Sequence, residues 1–178
     1  VATAEGLLRW DDDTEKFVAI EGSPKERVDA FCFLSADTVW VHRVGVLEAF
    51  RWDGKKLVSI RRITGDSGLP PVEAGSMLLD RSGSLWLTTT RGLLRYTALT
   101  NELRVYGEHD GLPSQEFDMQ PGLLTSGGLA VVGTTKGLVI FDPLKVRSKS
   151  ALSHLVVENI SVRRGDDKID FPSSSNAM

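Results

Sequence analysis

The sequence predicts an all-β chain: a partial β-propeller of about three four-stranded blades, too few to close a ring alone. Three observations carry this. One phrase, glycine then an apolar run then an aromatic, recurs at Gly6-Leu-Leu-Arg-Trp10, Gly45-Val-Leu-Glu-Ala-Phe50, Gly92-Leu-Leu-Arg-Tyr96 and Gly137-Leu-Val-Ile-Phe141. Its spacing is roughly the 40 to 45 residues of a propeller blade. Three more short apolar runs accompany each copy, giving four strands per unit. The turns between them carry hairpin chemistry, and no long stretch shows a helical period. A long β-solenoid is the competing architecture, but a hairpin-rich unit with loops of several lengths favours the propeller.

In chain order, 1–22 reads as the trailing hairpin of a preceding blade, followed by blades at 23–64, 65–106 and 107–146. First strands are VDAFCFL, EAGSMLLD and, more weakly, FDMQPGLLT. Second strands are TVWVH, SLWLT and LAVVG; the glycine phrase is the third. KFVAI, KLVSI and ELRVY are fourth strands. Their β-branched and aromatic residues suit a pleated, packed surface. Trp52-Asp53-Gly54-Lys55 holds an Asp-Gly hairpin pair. Asp80-Arg81-Ser82-Gly83 and Ser126-Gly127-Gly128 are turns between first and second strands.

Between units, Gly65-Asp66-Ser67-Gly68-Leu69-Pro70 recurs as Gly107-Glu108-His109-Asp110-Gly111-Leu112-Pro113-Ser114, with a trace at Gly22-Ser23-Pro24. There the glycine allows positive φ, the leucine can plug the gap between blades, and the proline fixes the start of the next strand. Two departures stand out: Arg51-Trp52 lies beyond the usual aromatic place, and Val131 stands where the previous unit has Trp86.

Gly-Leu-Pro-Ser, an apolar strand, Asp-Arg-Ser-Gly-Ser-Leu-Trp-Leu-Thr-Thr and Gly-Leu-Leu-Arg-Tyr together resemble the two-component regulator propeller repeat, best over Gly68–Tyr106. Gly111–Asp142 resembles the last copy of such an array. His154–Phe171, within 147–172, resembles a linker and the first strands of the three-tyrosine β-sandwich that commonly follows. The tail at 173–178 continues no pattern. The resemblance implies a non-catalytic, periplasmic sensor portion of a transmembrane histidine kinase or diguanylate cyclase. Lys145–Lys149 would then join propeller to sandwich, with a strand at Leu155–Val162 beginning the latter.

Composition narrows the partners. The formal charge of −3 and the lack of a basic stripe argue against nucleic acid. No apolar run is long enough to cross a bilayer, so no membrane contact is expected from this segment. Val1 stands inside a repeat, so the chain reads as part of a longer protein whose targeting is not legible here. Open blade edges invite self-association.

Trp86, Phe31, Phe33 and Tyr96 are expected to pack cores, and Cys32 to be a buried, inert thiol. Trp10 and Trp52, near hairpin turns, are alternative sugar platforms. Basic residues precede the opening glycine at Arg43, Arg91 and Lys136. Propeller topology puts these on the face that also carries Asp66, His109 and Asp110, making a rim for a small polar ligand such as a carbohydrate fragment, or a merely solvated edge. Glu108-His109-Asp110 is a poor ligand set; His42 and His154 stand alone, and no calcium-loop spacing follows Asp11-Asp12-Asp13. No metal and no cofactor is expected. No nucleophile elbow, phosphate loop or zinc-protease motif is present, so no catalytic residue is assigned. A carbohydrate-active enzyme and a plain interaction scaffold remain the alternatives.

Overall fold

The computed structural model describes residues 1–146, 159–164 and 167–172. It divides into two compact units, Val1–Val146 and Arg147–Met178. In the second, β15 (Asn159–Arg164) pairs antiparallel with β16 (Asp167–Pro172). Residues 147–158, including His154, and the tail at 173–178 lie outside the described residues.

The first unit is a partial β-propeller of four antiparallel sheets taken in chain order. Sheet 1 holds β1 (Ala2–Thr3), β2 (Gly6–Asp11) and β3 (Lys16–Ala19). Sheet 2 holds β4 (Ala30–Phe33), β5 (Thr38–Arg43), β6 (Val46–Trp52) and β7 (Leu57–Ile63). Sheet 3 holds β8 (Ala74–Leu79), β9 (Ser84–Thr89), β10 (Gly92–Thr97) and β11 (Glu102–Tyr106). Sheet 4 holds β12 (Leu123–Leu124), β13 (Ala130–Thr134) and β14 (Gly137–Phe141). The two Gly-Leu-Pro connections each form a single 3-10 turn, Gly65–Ser67 and Glu108–Asp110.

Consecutive sheets enclose one apolar layer each. Leu7, Val28, Val39 and Phe50 lie between sheets 1 and 2; Trp40, Leu47, Leu87 and Tyr96 between 2 and 3; Trp86, Leu93, Phe117 and Val132 between 3 and 4. β9, covered on both faces, is buried at every position. A tryptophan on one sheet meets an aromatic on the next at two junctions. Trp40 and Tyr96 centroids are 5.5 Å apart, and Trp86 and Phe141 centroids 5.1 Å. Cys32 packs partly buried against the middle layer, and burial pushes its thiol up to about 12.

Phe31 and Phe33 depart from the expected core role, being 36% and 56% exposed. By register they hold the places of Met77 and Leu79, which sheet 2 covers. Opposite the two phenylalanines, β1 is only two residues long and no strand lies inside it. They line a cleft that Leu7, Leu8 and Arg9 of sheet 1 also line.

Two local devices fix the sheets. Asp80 closes the turn before β9: its Oδ1 accepts from Ser82 N–H (2.8 Å), the Ser82 hydroxyl (2.6 Å) and Ser84 N–H (3.0 Å), while Oδ2 accepts from the Trp86 indole (2.8 Å). Burial alone would raise the Asp80 carboxyl, but these hydrogen bonds outweigh it and hold it below its ordinary value. The second device is a hydroxyl clasp. Thr3, Thr89 and Thr134 donate to the carbonyls of Gly6, Gly92 and Gly137 (2.9, 2.7 and 2.9 Å) and accept from the N–H two residues on. The three glycines have φ of +113°, +122° and +125°.

Sheet 2 breaks the clasp, and this resolves one departure. Arg43 pairs with Val46 as Thr89 pairs with Gly92, so Arg43 takes the threonine place and Val46 the glycine place. Gly45 has moved into the two-residue loop, with φ +72°. Phe50 then falls in register with Tyr96, and Arg51-Trp52 is simply the end of a longer strand.

Two predictions follow from these devices. Asp80→Asn is expected to cost about 2 kcal/mol in urea unfolding at neutral pH, the range for hydrogen bonds to a charged group. Because the folded carboxyl titrates below its ordinary value, Asp80's contribution is fully present above about pH 4 and is lost as pH falls through the folded pKa. The gap between wild type and variant should therefore close in acid. Gly92→Ala should destabilise more than Gly137→Ala in thermal melts. Both carry the positive-φ strain of roughly 1–3 kcal/mol, but only at Gly92 would the new Cβ lie 2.4 Å from a carbonyl, that of Tyr106.

Candidate functional site

The β5–β6, β9–β10 and β13–β14 loops share one face of the stack with the connections between sheets. A Cβ on Gly45 would lie 3.7 Å from Pro71. Phe117 N–H donates to Thr89 O (3.2 Å), and Thr135 N–H to Glu116 O (3.2 Å). This rim carries the residues expected to meet a ligand, and it treats them differently.

Arg43 is not a rim cation. It is 7% exposed and donates to Glu48 (2.5 Å) inside the fold and to Glu26 (2.8 Å) at its edge. The Ser59 hydroxyl donates to the other Glu48 oxygen (2.6 Å). The one-residue displacement of Gly45 caused the misplacement. The loop-tip places equivalent to Arg91 and Lys136 are Glu5 in sheet 1 and Gly45 in sheet 2, so a recurring basic tip is not a property of the repeat.

Arg91, Lys136, Asp66 and His109 are exposed on the rim. The structure brings Lys136 to the second 3-10 turn, its Nζ 3.4 Å from Glu108 Oε1. Asp110 closes that turn by accepting from Gly107 N–H (3.0 Å) and pairs with Arg104 (3.1 Å). The Gly107 hydrogen bond is the main reason its carboxyl lies below its ordinary value, with burial opposing and Arg104 assisting. Asp66 lies on the other connection, between sheets 2 and 3.

A second group was not singled out in the sequence. An acid precedes each innermost strand, in Val28-Asp29-Ala30, Val72-Glu73-Ala74 and Phe117-Asp118-Met119. Asp29 N–H donates to His42 O (3.0 Å) as Asp118 N–H donates to Gly133 O (3.1 Å), so the two occupy one structural position. Aligning the first strands on these acids would have found them. Arg27 reaches from sheet 2 to sheet 3, with Nε 3.2 Å from Asp29 and Nη1 3.3 Å from Glu73. His42 Nδ1 lies 3.4 Å from Asp29 Oδ2, both side chains being enclosed. Burial raises the Asp29 carboxyl against the pull of Arg27, and burial, with Arg43 adding, lowers His42 to about 4. His42 is thus a neutral imidazole at neutral pH.

A cavity of about 210 Å³ runs along the inner strands beside Asp29, Ser76 and Gly122. Its wall offers hydrogen-bond acceptors and a hydroxyl. Among the described residues no group of three or more His, Cys, Asp or Glu is placed to hold a metal ion. A larger, mainly apolar cleft of about 270 Å³ is lined by Phe31, Phe33, Trp52 and Leu57. Trp10, half exposed, instead makes an edge contact with Phe17 at 5.2 Å.

No family model matches the chain. Histidine kinase P4 of Formosa agariphila is 29% identical over 98 residues, covering 52% of this chain and 7% of that protein. The fold is similar to the extracellular domain of the hybrid two-component system BT4673 of B. thetaiotaomicron (TM-score 0.57, 18% identity, covering 78% of this chain and 19% of that one). It is also similar to PorZ, a surface component of the type-IX secretion system of Porphyromonas gingivalis (TM-score 0.54, 12% identity, 74% and 20% covered). A computationally designed protein, Ika4, matches at TM-score 0.51 with 17% identity, 79% of this chain and 82% of that one. The chain therefore spans a small part of the natural proteins it resembles.

Arg43→Ala is expected to cost about 3–5 kcal/mol in chemical denaturation, because Glu48 stays buried without its counter-charge. His42 bears on acid stability. Its folded pKa lies below the unfolded one, so its contribution is fully present above about pH 6.5 and falls away toward pH 4. The urea midpoint of the wild type should rise from pH 5 to pH 7 more steeply than that of His42→Gln, with Asp29 and Arg43 unchanged.

Proposed function

We propose that this chain is part of the extracytoplasmic, periplasmic sensor region of a bacterial transmembrane signalling protein with a kinase or cyclase output, and that it binds a ligand without transforming it. The observation that carries this is the fold: the sheets superpose on the extracellular domain of a hybrid two-component system, while the recognisable sequence similarity is to a histidine kinase. The 3-tyrosine β-sandwich is proposed to begin in the 147–172 segment, which contains the β15–β16 hairpin.

The ligand class proposed is a small polar molecule, with carbohydrate fragments foremost. Arg91, Lys136, Asp66 and His109 offer donors and acceptors at the rim, and Asp29, Glu73 and Asp118 add carboxylates beside the inner strands. Sensing requires that the ligand favour one arrangement over another. Arg27 supplies a place for that preference: it ties Asp29 in sheet 2 to Glu73 in sheet 3, so a hydroxyl or cation competing for either carboxylate weakens a link between blades. A hydrolase reading would need two carboxylates facing an open site, and here two are engaged by one guanidinium.

Thermal shift against neutral and acidic oligosaccharides, paired with a reducing-sugar assay, tests the proposal. A bound ligand at one hundred times its Kd stabilises by about 2.7 kcal/mol, a shift of several degrees. The expected result is a shift without sugar release that shrinks in an Arg91→Ala/Lys136→Ala variant. Sugar release would replace the sensor reading with an enzyme, and a shift unaffected by the double variant would move the site off the rim.

A further inference from the structure

Sheets 2 and 3 each have four strands, and the junction between them encloses charge as well as apolar side chains. The Asp29 side chain is 0% exposed and that of His42 1%. Each Asp29 oxygen faces a different group. Oδ1 lies 3.2 Å from Arg27 Nε, and Oδ2 lies 3.4 Å from His42 Nδ1. Neither contact is a full hydrogen bond: both Asp29 oxygens and His42 Nδ1 lack a well-aligned partner. Buried polar atoms in this state are costly, so the cluster is stabilised by completing one contact or the other.

The two contacts lead to different places. Arg27 leads outward. Its side chain is exposed, and its Nη1 lies 3.3 Å from Glu73 beside β8 of sheet 3. His42 leads inward and stays within sheet 2, on β5. Beyond these, Arg43 follows His42 in the chain and is paired with Glu48 and Glu26, and the Ala74 N–H approaches Asp29 from sheet 3. An ionised Asp29 favours the outward contact, because a carboxylate binds most strongly to a guanidinium. A protonated Asp29 has no charge to hold Arg27, but it has an O–H to donate, and a neutral imidazole nitrogen can accept it.

We propose that Asp29 is a proton-operated latch between sheets 2 and 3: ionised, it holds Arg27 across the junction to Glu73; protonated, it turns its O–H to His42 Nδ1 and releases Arg27. One proton enters the Asp29–His42 pair and none leaves, with His42 accepting as the neutral Nε2–H tautomer. Burial acts on both groups in the same sense, toward the neutral form. It raises the Asp29 carboxyl, which Arg27 pulls down, Glu73 pushes up and the Ala74 N–H pulls down; with Arg43 adding, it lowers His42 to about 4. When the pair holds one proton, burial therefore favours carboxyl beside imidazole over carboxylate beside imidazolium. A carboxyl whose folded pKa lies above the unfolded one binds its proton more tightly in the folded chain, so this proton does not unfold it. Acid then loosens the link between two blades inside an intact fold, with no ligand bound.

Heteronuclear NMR of the whole chain, titrated from about pH 7 to about pH 4 across the carboxylate and imidazole ranges, tests this. One transition should be shared by the Asp29 carboxyl carbon, the Arg27 Nε–H and the Ala74 amide, above the ordinary carboxylate value. The Leu85 and Leu87 amides of β9 should not move with it, and the His42 nitrogens should report a neutral ring through it. Arg27→Met should move the Asp29 transition to higher pH, since a cation is lost, and Glu73→Gln to lower pH, since an anion is lost. Asp29→Asn should hold the Arg27 and Ala74 signals at their acid positions at every pH. Arg27 and Glu73 have exposed side chains, so their variants keep the test open if Asp29→Asn does not fold. The proposal is overturned by an Asp29 transition at or below the ordinary value, by an Ala74 amide that does not follow it, by an imidazolium at His42 over the same range, or by β9 amides that move with it.

Discussion

A β-sheet with two apolar faces cannot stand alone in water, and the rest of this structure follows from that constraint. Sheets 2 and 3, each four strands wide, bury one face on the sheet before and the other on the sheet after. β9 shows the consequence most fully: Leu85 and Leu87 point one way, Trp86 points the other, and all three are at most 1% exposed. Where a neighbouring sheet lacks its inner strand, the same residue types stay wet, as at Phe31 and Phe33. Exposure in this chain therefore depends more on position in the stack than on hydrophobicity.

Stacking fixes which faces meet but not where each strand ends. Polar side chains set the strand ends. Asp80 gathers the turn before β9 and holds the Trp86 indole, so one carboxylate orders both a loop and the largest buried side chain of its sheet. The threonine clasp fixes three of the β-hairpins, and in the fourth a buried arginine stands in its place, compensated by Glu48. That substitution replaces a short local hydrogen bond with a buried ion pair, whose worth depends on both partners being present.

The rim is where these structural tasks meet the candidate ligand site. Asp110 spends its carboxylate on closing a turn, and Arg43 is enclosed, whereas Arg91, Lys136, Asp66 and His109 keep exposed polar groups. Arg27 spans two sheets on carboxylates at the inner strands, Asp29 and Glu73. Under the proposed function, a ligand engaging Asp29 or Glu73 would meet the junction between blades as well as a surface.

The sequence by itself determined the repeat, the strand order within sheets 2 and 3, the Asp-Gly and Gly-Leu-Pro turns, and the core places of Trp86 and Tyr96. These depend on local chemistry: period-two burial, positive φ and hydroxyl or carboxylate turns are written within a few residues. Only the tertiary structure decided the remainder. Arg43 looked like a tip residue because a glycine had moved by one position, and strand register is visible only when the partner strand is in place. Phe31 and Phe33 had core sequence but line an open cleft beside sheet 1. The alignment of Asp29 with Asp118, and Arg27's bridge to Glu73, joins residues far apart in the chain, and no local pattern encodes which blade lies against which.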